Sequence, residues 1–336
     1  MIADPGSFWV TDYTCGGKEK TYRIKPEGPA AIFGKATSLI SHAFFPVLPE
    51  ARQFENSIYL IWNFMRYLYP IPYKLNFFDK LIYNLKRGYF FCTVCGKISY
   101  LRISKEIVKI PELELRESVI CKHCGSSNRN RQMAKIIAQS PHNKKKYLSL
   151  KSFCEQEKIK IYNTEASRAL HDIIRAYNPT LYHCSEYLGD KYTSGETING
   201  VMHQDLMKTS FENDYFDLVL TSDVLEHVPD PWKAFEEIYR ILKPRGRHVF
   251  TVPFYQDRCS CEKRAYIDDN GVVIHEKEPI YHIDPLRPEG AFVFTIFSID
   301  MLAKLEQIGF TTYMYKLHSI FDGILGQNAI IFESFK

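Results

Sequence analysis

An α/β fold built on an open sheet of buried strands, with a small cysteine-rich domain ahead of it, is what this 336-residue chain predicts. Two observations carry that reading. Residues 215–253, YFDLVLTSDVLEHVPDPWKAFEEIYRILKPRGRHVFTVP, set an acidic and polar turn between two apolar strands joined by a helix. Four cysteines fall into two Cys-x-x-Cys pairs, at 92/95 and 121/124.

In chain order, residues 1–90 form an aromatic-rich segment. Tyr59, Trp62, Phe64, Tyr67 and Tyr69 interleave there with Arg66, Lys74 and Lys80. The segment is read as helices packing on the domain that follows, with a membrane surface as the other reading. No apolar run is long enough to span a bilayer.

Residues 91–150 read as a zinc ribbon and a basic linker. Cys92, Cys95, Cys121 and Cys124 lie in two turns, each followed by a glycine (Gly96, Gly125), with strand-rich sequence between them at Ile98 to Leu101 and Val119 to Ile120. Two such turns present four thiolates to one tetrahedral ion, and with every position filled by protein the zinc is structural. Disulfides are the competing use. The lack of a secretory pattern and the odd count of nine cysteines favour a reducing, cytoplasmic setting. His123 reads as a solvated side chain, and Cys15, Cys154 and Cys184 as isolated thiols.

Charge divides the chain. Residues 1–150 carry 23 basic and 11 acidic side chains, whereas 151–336 carry 20 and 28, so the net charge of +4 hides a basic first half. That half, with Lys86, Arg87, Lys97, Arg129, Arg131 and Lys144 to Lys146, invites a polyanion such as RNA, a phosphate-linked glycan or a membrane surface. A soluble ribbon docked on an acidic neighbour explains the same charge.

Residues 151–336 supply the α/β elements. Lys160 to Asn163 is a short strand and Ala166 to Tyr177 a helix. Leu181 to Ser185 is a strand ending in Glu186, and a third strand in GVMHQDL ends before Asp205. Glu186 stands where an acidic side chain accepts from both ribose hydroxyls in dinucleotide folds. Phe216 to Leu220 and Val249 to Val252 are neighbouring buried strands. The helix Trp232 to Leu242 between them is stopped by Pro244 and Gly246. The carboxyl end of the first strand carries Thr221, Ser222, Asp223, Glu226 and His227, where open α/β sheets hold their ligands. Residues 254–295 interrupt the alternation as an insertion placed to cover a substrate. Its densest polar patch is IYHIDPLRPEG, with Tyr281, His282, Asp284 and Arg287. A helix (Ile299 to Ile308) and two strands (Thr311 to Lys316, Asn328 to Phe332) complete the chain.

Together the ribbon, NTEASRAL, CSEYLG, DVLEHV, LKPRGRHVFTVPF and YHIDPLRPEGAFVF resemble a bacterial subgroup of the type 11, class I S-adenosylmethionine-dependent methyltransferases over roughly residues 90–336. The resemblance implies a Rossmann-like, seven-stranded, mostly parallel sheet with helices on both faces and an antiparallel last strand. It implies S-adenosylmethionine as cofactor, held by Asn163, Glu165 and Ala166 at the first turn, by Glu186 at the ribose, by Asp205 and the Leu206 amide at the adenine, and by Ser222 and Asp223. The junction departs from the family in having Glu165, Ser167 and Ala169 where glycines bring the backbone close to the cofactor. The expected activity is methyl transfer to an oxygen or nitrogen of a small-molecule or sugar acceptor, with His282 as base or acceptor anchor, His227 as a wall of the methyl site, and Tyr281, Asp284 and Arg287 facing the acceptor. An RNA methyltransferase and a non-catalytic zinc-ribbon binding protein are the alternatives.

Overall fold

The computed structural model describes residues 8–12, 20–24, 87–102, 115–256, 258–284, 287–317, 319–325 and 330–336. Most of the aromatic-rich segment and Cys15 lie outside the described residues.

The strands in chain order begin with β1 (Phe8–Asp12), β2 (Lys20–Ile24), β3 (Arg87–Phe91) and β4 (Ile98–Arg102), after which come helices α1 (Asn128–Gln139) and α2 (Leu150–Gln156). The sheet region follows as β5 (Ile161–Asn163), α3 (Arg168–Tyr177), β6 (Tyr182–Cys184), β7 (Thr197–Ile198), β8 (Val201–Met202), β9 (Phe216–Ser222), α4 (Pro231–Ile241) and β10 (Leu242–Thr251). The insertion holds β11 (Phe254–Tyr255), β12 (Glu262–Lys263), β13 (Ala265–Ile267), β14 (Val273–His275), β15 (Tyr281–Asp284), β16 (Arg287–Phe292) and β17 (Thr295–Ser298). The chain ends with α5 (Asp300–Ile308), β18 (Thr311–Lys316) and β19 (Ile330–Phe335).

The central sheet has the order β18-β19-β10-β9-β5-β6. β6, β5, β9 and β10 run parallel, while β19 is antiparallel to both β10 and β18. Among the described residues six strands stand where seven are expected. The strand anticipated before Asp205 is instead the second arm of a small antiparallel pair, β7-β8, and meets the sheet only through a bridge between Glu186 and His203. Gly200, at φ 81°, turns the chain tightly between those arms, so the segment pairs with itself. Val119, at a bend, and Ile120, in irregular backbone, lead into Cys121 and are not in the strand expected there.

Alternation along the sheet separates two cores. Ile161, Leu218, Leu220, Val249 and Ile331 face α1, α2 and α3, and Tyr162, Val219, Phe250 and Phe332 face α4 and α5. Helix α4 illustrates why these segments are helical. Asp230 accepts from the amides of Trp232 and Lys233, Pro231 takes the first helical position, and Ala234, Phe235, Ile238 and Ile241 form the buried stripe. Helix α1 is the element that sequence placed elsewhere. Read as part of a ribbon and basic linker, it lays Met133, Ala134 and Ile137 on the sheet, each fully buried. Its end is fixed to β10 and β19 by a buried network. Arg247 pairs with Glu333 at 2.6 Å and donates to the Ile137 carbonyl at 2.7 Å, while Ser140 and Tyr315 donate to Glu333 at 2.6 and 2.9 Å.

His248 lies fully buried on β10, 2.9 Å from the Thr221 hydroxyl and stacked on Phe250. Burial pushes its pKa down to about 3. In the unfolded chain the ring takes a proton near pH 6.5, whereas the folded chain refuses it until near pH 3. Stability from this group is therefore complete above about pH 6.5 and falls by about 1.4 kcal/mol per pH unit below it. Melting and urea curves from pH 7 to 5 should show His248→Phe losing roughly 2 kcal/mol less than the parent over that interval. Parallel acid limbs for the two proteins would show that His248 is not the group responsible.

Candidate functional site

At the carboxyl edge the sheet order β6-β5-β9 sets three turns side by side, and with the insertion they enclose a cavity of about 910 Å³. That is room for a cofactor-sized molecule and an acceptor.

The turn after β5 is the glycine-poor one. Asn163 is buried and donates to the Glu165 carbonyl and the Tyr182 hydroxyl at 2.9 and 3.1 Å, so its side chain shapes the turn and does not line the cavity. Glu165 does line it. Burial pushes the Glu165 carboxyl up to about 7 against the pull of Arg129 and Arg168, and its Oε2 accepts no hydrogen bond among the described residues. The left-handed backbone that glycine favours occurs here at Arg168, with φ 70°, at a cost of about 1–2 kcal/mol for a residue bearing a Cβ. Ala166 contributes its backbone, donating to Glu186 Oε1 at 2.8 Å. Glu186, Asp205 and Leu206 all line the cavity. Asp205 Oδ1 accepts from the Met207 amide at 2.8 Å, which fixes the carboxylate in its turn.

The turn after β9 holds the charge the sequence reading missed. Asp223, itself at φ 54°, receives Arg116 through two hydrogen bonds of 2.5 and 2.6 Å, lies 3.6 Å from Arg129, and accepts from the Thr251 hydroxyl at 2.9 Å. Burial disfavours the charged form of Asp223, but the two guanidinium groups outweigh it and hold the carboxyl well below its usual range. Arg129 also donates to Ser222 and to Glu117. The two arginines are joined through the backbone, the Arg129 amide donating to the Arg116 carbonyl at 2.9 Å. No sequence signal placed them here, because they precede Asp223 by about a hundred residues, Arg129 reading as surface charge and Arg116 not standing out at all.

Arg129 and Arg131 are therefore removed from the basic surface that sequence assigned them to. Arg131 is fully buried, over the Phe90 ring and bonded to the carbonyls of Ser126 and Gly323. Lys97 and Lys144 to Lys146 remain exposed.

Beyond Asp223, a 3-10 turn at Leu225–His227 brings Glu226 and His227 under the insertion. Glu226 is fully buried, and neither of its carboxylate oxygens accepts a hydrogen bond among the described residues. His227 Nε2 and His282 Nδ1 each lie 3.7 Å from Glu226 Oε1, and the two rings meet edge to face at 5.0 Å. Both histidines line the cavity. The Glu226 carboxylate raises the His282 pKa, in opposition to partial burial. Of the residues expected to face an acceptor, Tyr281 turns away, 56 % exposed on the outer side of the hairpin against Phe292. The side chains of Asp284 and Arg287 lie outside the described residues, although their backbones pair across β15 and β16.

The cysteine turns sit beneath the start of α1. Sγ separations are 3.7 Å for Cys92–Cys124 and 3.9 Å for Cys95–Cys121, and the four sulfurs lie within 4.8 Å of one another. The edge of a tetrahedron with 2.3 Å metal–sulfur bonds is about 3.8 Å, so the set fits a tetrahedral soft ion. The two turns repeat one geometry. Gly96 and Gly125, at φ 72° and 70°, return their amides to the carbonyls of Cys92 and Cys121 at 2.8 and 2.9 Å. His123 is exposed, its Nε2 3.0 Å from the Ile98 carbonyl. Cys154 and Cys184 are free thiols, Cys154 buried and Cys184 half-buried.

Residues 164–250, which span the carboxyl-edge turns, match the family model Methyltransf_11, described as a methyltransferase domain. Over 48 residues the chain is 40% identical to phosphoethanolamine N-methyltransferase 2 of Caenorhabditis elegans, a match covering 14% of this chain and 11% of that protein. Similar solved structures include an S-adenosylmethionine-dependent methyltransferase from Mesorhizobium loti (17% identity, 54% of this chain and 93% of that one, TM-score 0.34). Another is a putative S-adenosylmethionine-dependent methyltransferase from Listeria monocytogenes (13% identity, 54% and 92%, TM-score 0.35). Among the described residues no helix is long and apolar enough to cross a membrane.

Proposed function

We propose that the protein is an S-adenosylmethionine-dependent methyltransferase acting on an oxygen or nitrogen of a small-molecule or sugar acceptor, with a structural zinc on Cys92, Cys95, Cys121 and Cys124. The observation that carries the reading is the row of acidic turns along the carboxyl edge, inside the stretch that matches a methyltransferase domain. Glu186, oriented by the Ala166 amide, and Asp205, oriented by the Met207 amide, are assigned to the ribose and the adenine. The Leu206 amide is assigned to the adenine edge. The Glu165 Oε2 suits the ammonium group of the methionine portion, because it is a buried acceptor with no donor among the described residues. S-adenosylmethionine supplies a methyl group on a sulfonium, open to in-line displacement by a lone pair. The protein's part is alignment: holding the acceptor atom behind the methyl carbon with water excluded. His227, beneath the insertion, and His282, on strand β15 of it, both line the cavity and are assigned to the acceptor side. The likeness to a phosphoethanolamine N-methyltransferase is compatible with a nitrogen acceptor.

Calorimetry with S-adenosylmethionine tests the reading. The parent is expected to bind it, and Glu186→Ala to bind it roughly five- to hundredfold more weakly, the loss of a carboxylate that accepts from buried ligand donors. A folded parent that binds neither S-adenosylmethionine nor S-adenosylhomocysteine would return the chain to the binding-protein alternative.

A further inference from the structure

We infer that Glu226, His227 and His282 form a second metal site, one that takes a divalent first-row transition ion through two imidazole nitrogens and one carboxylate. Three observations meet at this cluster. The carboxylate of Glu226 is fully buried and receives no hydrogen bond among the described residues, an arrangement that costs several kcal/mol unless a cation supplies the missing partner. The donor atoms are convergent: two lie 3.7 Å from the same carboxylate oxygen, and all three residues offer atoms within 4.8 Å of one another. With metal–ligand bonds near 2.1 Å, neighbouring ligand atoms are about 3.0–3.4 Å apart, so a small contraction completes the set.

The third observation concerns the histidine that is already oriented. His227 Nδ1 lies 2.7 Å from the Phe292 carbonyl. A carbonyl only accepts, so Nδ1 carries the hydrogen, and in the neutral ring Nε2, on the Glu226 side, is left with the lone pair that a metal needs. A ligating imidazole is fixed in this way in metal sites, its far N–H donated to a carbonyl. Strand β16 also holds the other ring in place. Ala291, next to Phe292, pairs with His282 on β15, and at Gly290 on the same strand an added Cβ would come within 2.6 Å of the His282 carbonyl. Three protein ligands leave coordination positions open toward the cavity that both histidines line. The ligand set stands independently of cofactor binding. Only the ion's task, anchoring an acceptor hydroxyl or amine, rests on the methyl-transfer reading, and a metal-bound histidine would then not be the free base that the sequence suggests.

Manganese(II) is the suitable probe, since it favours nitrogen and oxygen over thiolates and so leaves the cysteine site alone. Electron paramagnetic resonance titration of the full chain, cleared of loosely held ions, is expected to show one bound Mn2+ per chain and a melting temperature that rises with added Mn2+. Glu226→Gln and His282→Ala should each weaken that binding by about a hundredfold and abolish the thermal shift. His282, with 39 % of its side chain exposed, is the safer substitution should the buried Gln variant fold poorly. No binding by the parent at about 1 mM Mn2+ would overturn the inference and leave Glu226 partnered by a protonated His282. Bound Mn2+ that survives both substitutions would overturn it as well. S-adenosylmethionine calorimetry on the same samples reports separately on the methyl-transfer reading.

Discussion

Removal of zinc from the four cysteines, or the substitution Cys121→Ser, is expected to unfold the region around α1 and to take cofactor binding with it. Metal analysis should find one zinc per chain on these thiolates. A structural zinc in a thiolate site contributes about 10 kcal/mol or more to folding, comparable with the whole stability of an ordinary domain. The effect reaches the cavity through a short chain of contacts. The turn holding Cys121 and Cys124 leads into Ser127, which caps α1, and the first turn of α1 carries Arg129. The loop before it is pinned to the same helix end, Asn128 donating to the carbonyls of Ser118 and Leu115 and Arg129 to that of Arg116. Cys92, Cys95 and Cys121 also share one hydrophobic cluster with Ile161 and Leu218 of the sheet, so the cysteine turns are continuous with the fold. Chelation followed by melting and S-adenosylmethionine titration checks the expectation. A metal-free preparation with unchanged melting and unchanged cofactor affinity would refute it.

The second large effect is expected at Asp223. Its carboxylate is the shared counter-charge of Arg116 and Arg129, and the Arg129 side chain is only 7 % exposed. Asp223→Asn keeps the size of the side chain and tolerates the left-handed backbone at this position, but removes the charge. Taking one partner from a buried ion pair costs on the order of 3–5 kcal/mol, because the remaining charge is left without compensation. Glu117, bonded to Arg129 but 54 % exposed, retains part of that compensation, so the lower end of the range is expected. Urea unfolding of Asp223→Asn, Arg129→Ala and the double variant forms a cycle that should show a coupling above about 1 kcal/mol. Additive losses would mean that the pair is a contact without energetic weight.

Much of this molecule was legible before folding. The knuckle spacing of Cys92, Cys95, Cys121 and Cys124 is a matter of tight local turns, and their sulfurs do converge. The strand at Phe216 and the helix from Trp232 are read from apolar spacing and from the stop at Pro244 and Gly246, signals contained within about a dozen residues. The strand before Asp205 was misread because two residues of β-like sequence pair as readily with a neighbouring arm as with a sheet, and only the finished sheet selects between them. Glu226 and His227 were visible as an acidic, histidine-bearing turn, yet the burial of Glu226 beneath His282, 56 residues further on, was not.

By itself, then, the sequence determined the α/β alternation, the position of the polar turns at strand ends and the thiolate set, all of which follow from turn chemistry and short-range hydrophobic spacing. The tertiary structure alone decided that α1 covers the sheet and that Arg116 and Arg129 close on Asp223. It likewise set Glu226 between two histidines. In each case a charged or apolar surface reads as solvated when taken alone. Its burial becomes favourable only when folding delivers a partner from about 60 to 110 residues away, a pairing to which neither helical nor strand periodicity is sensitive.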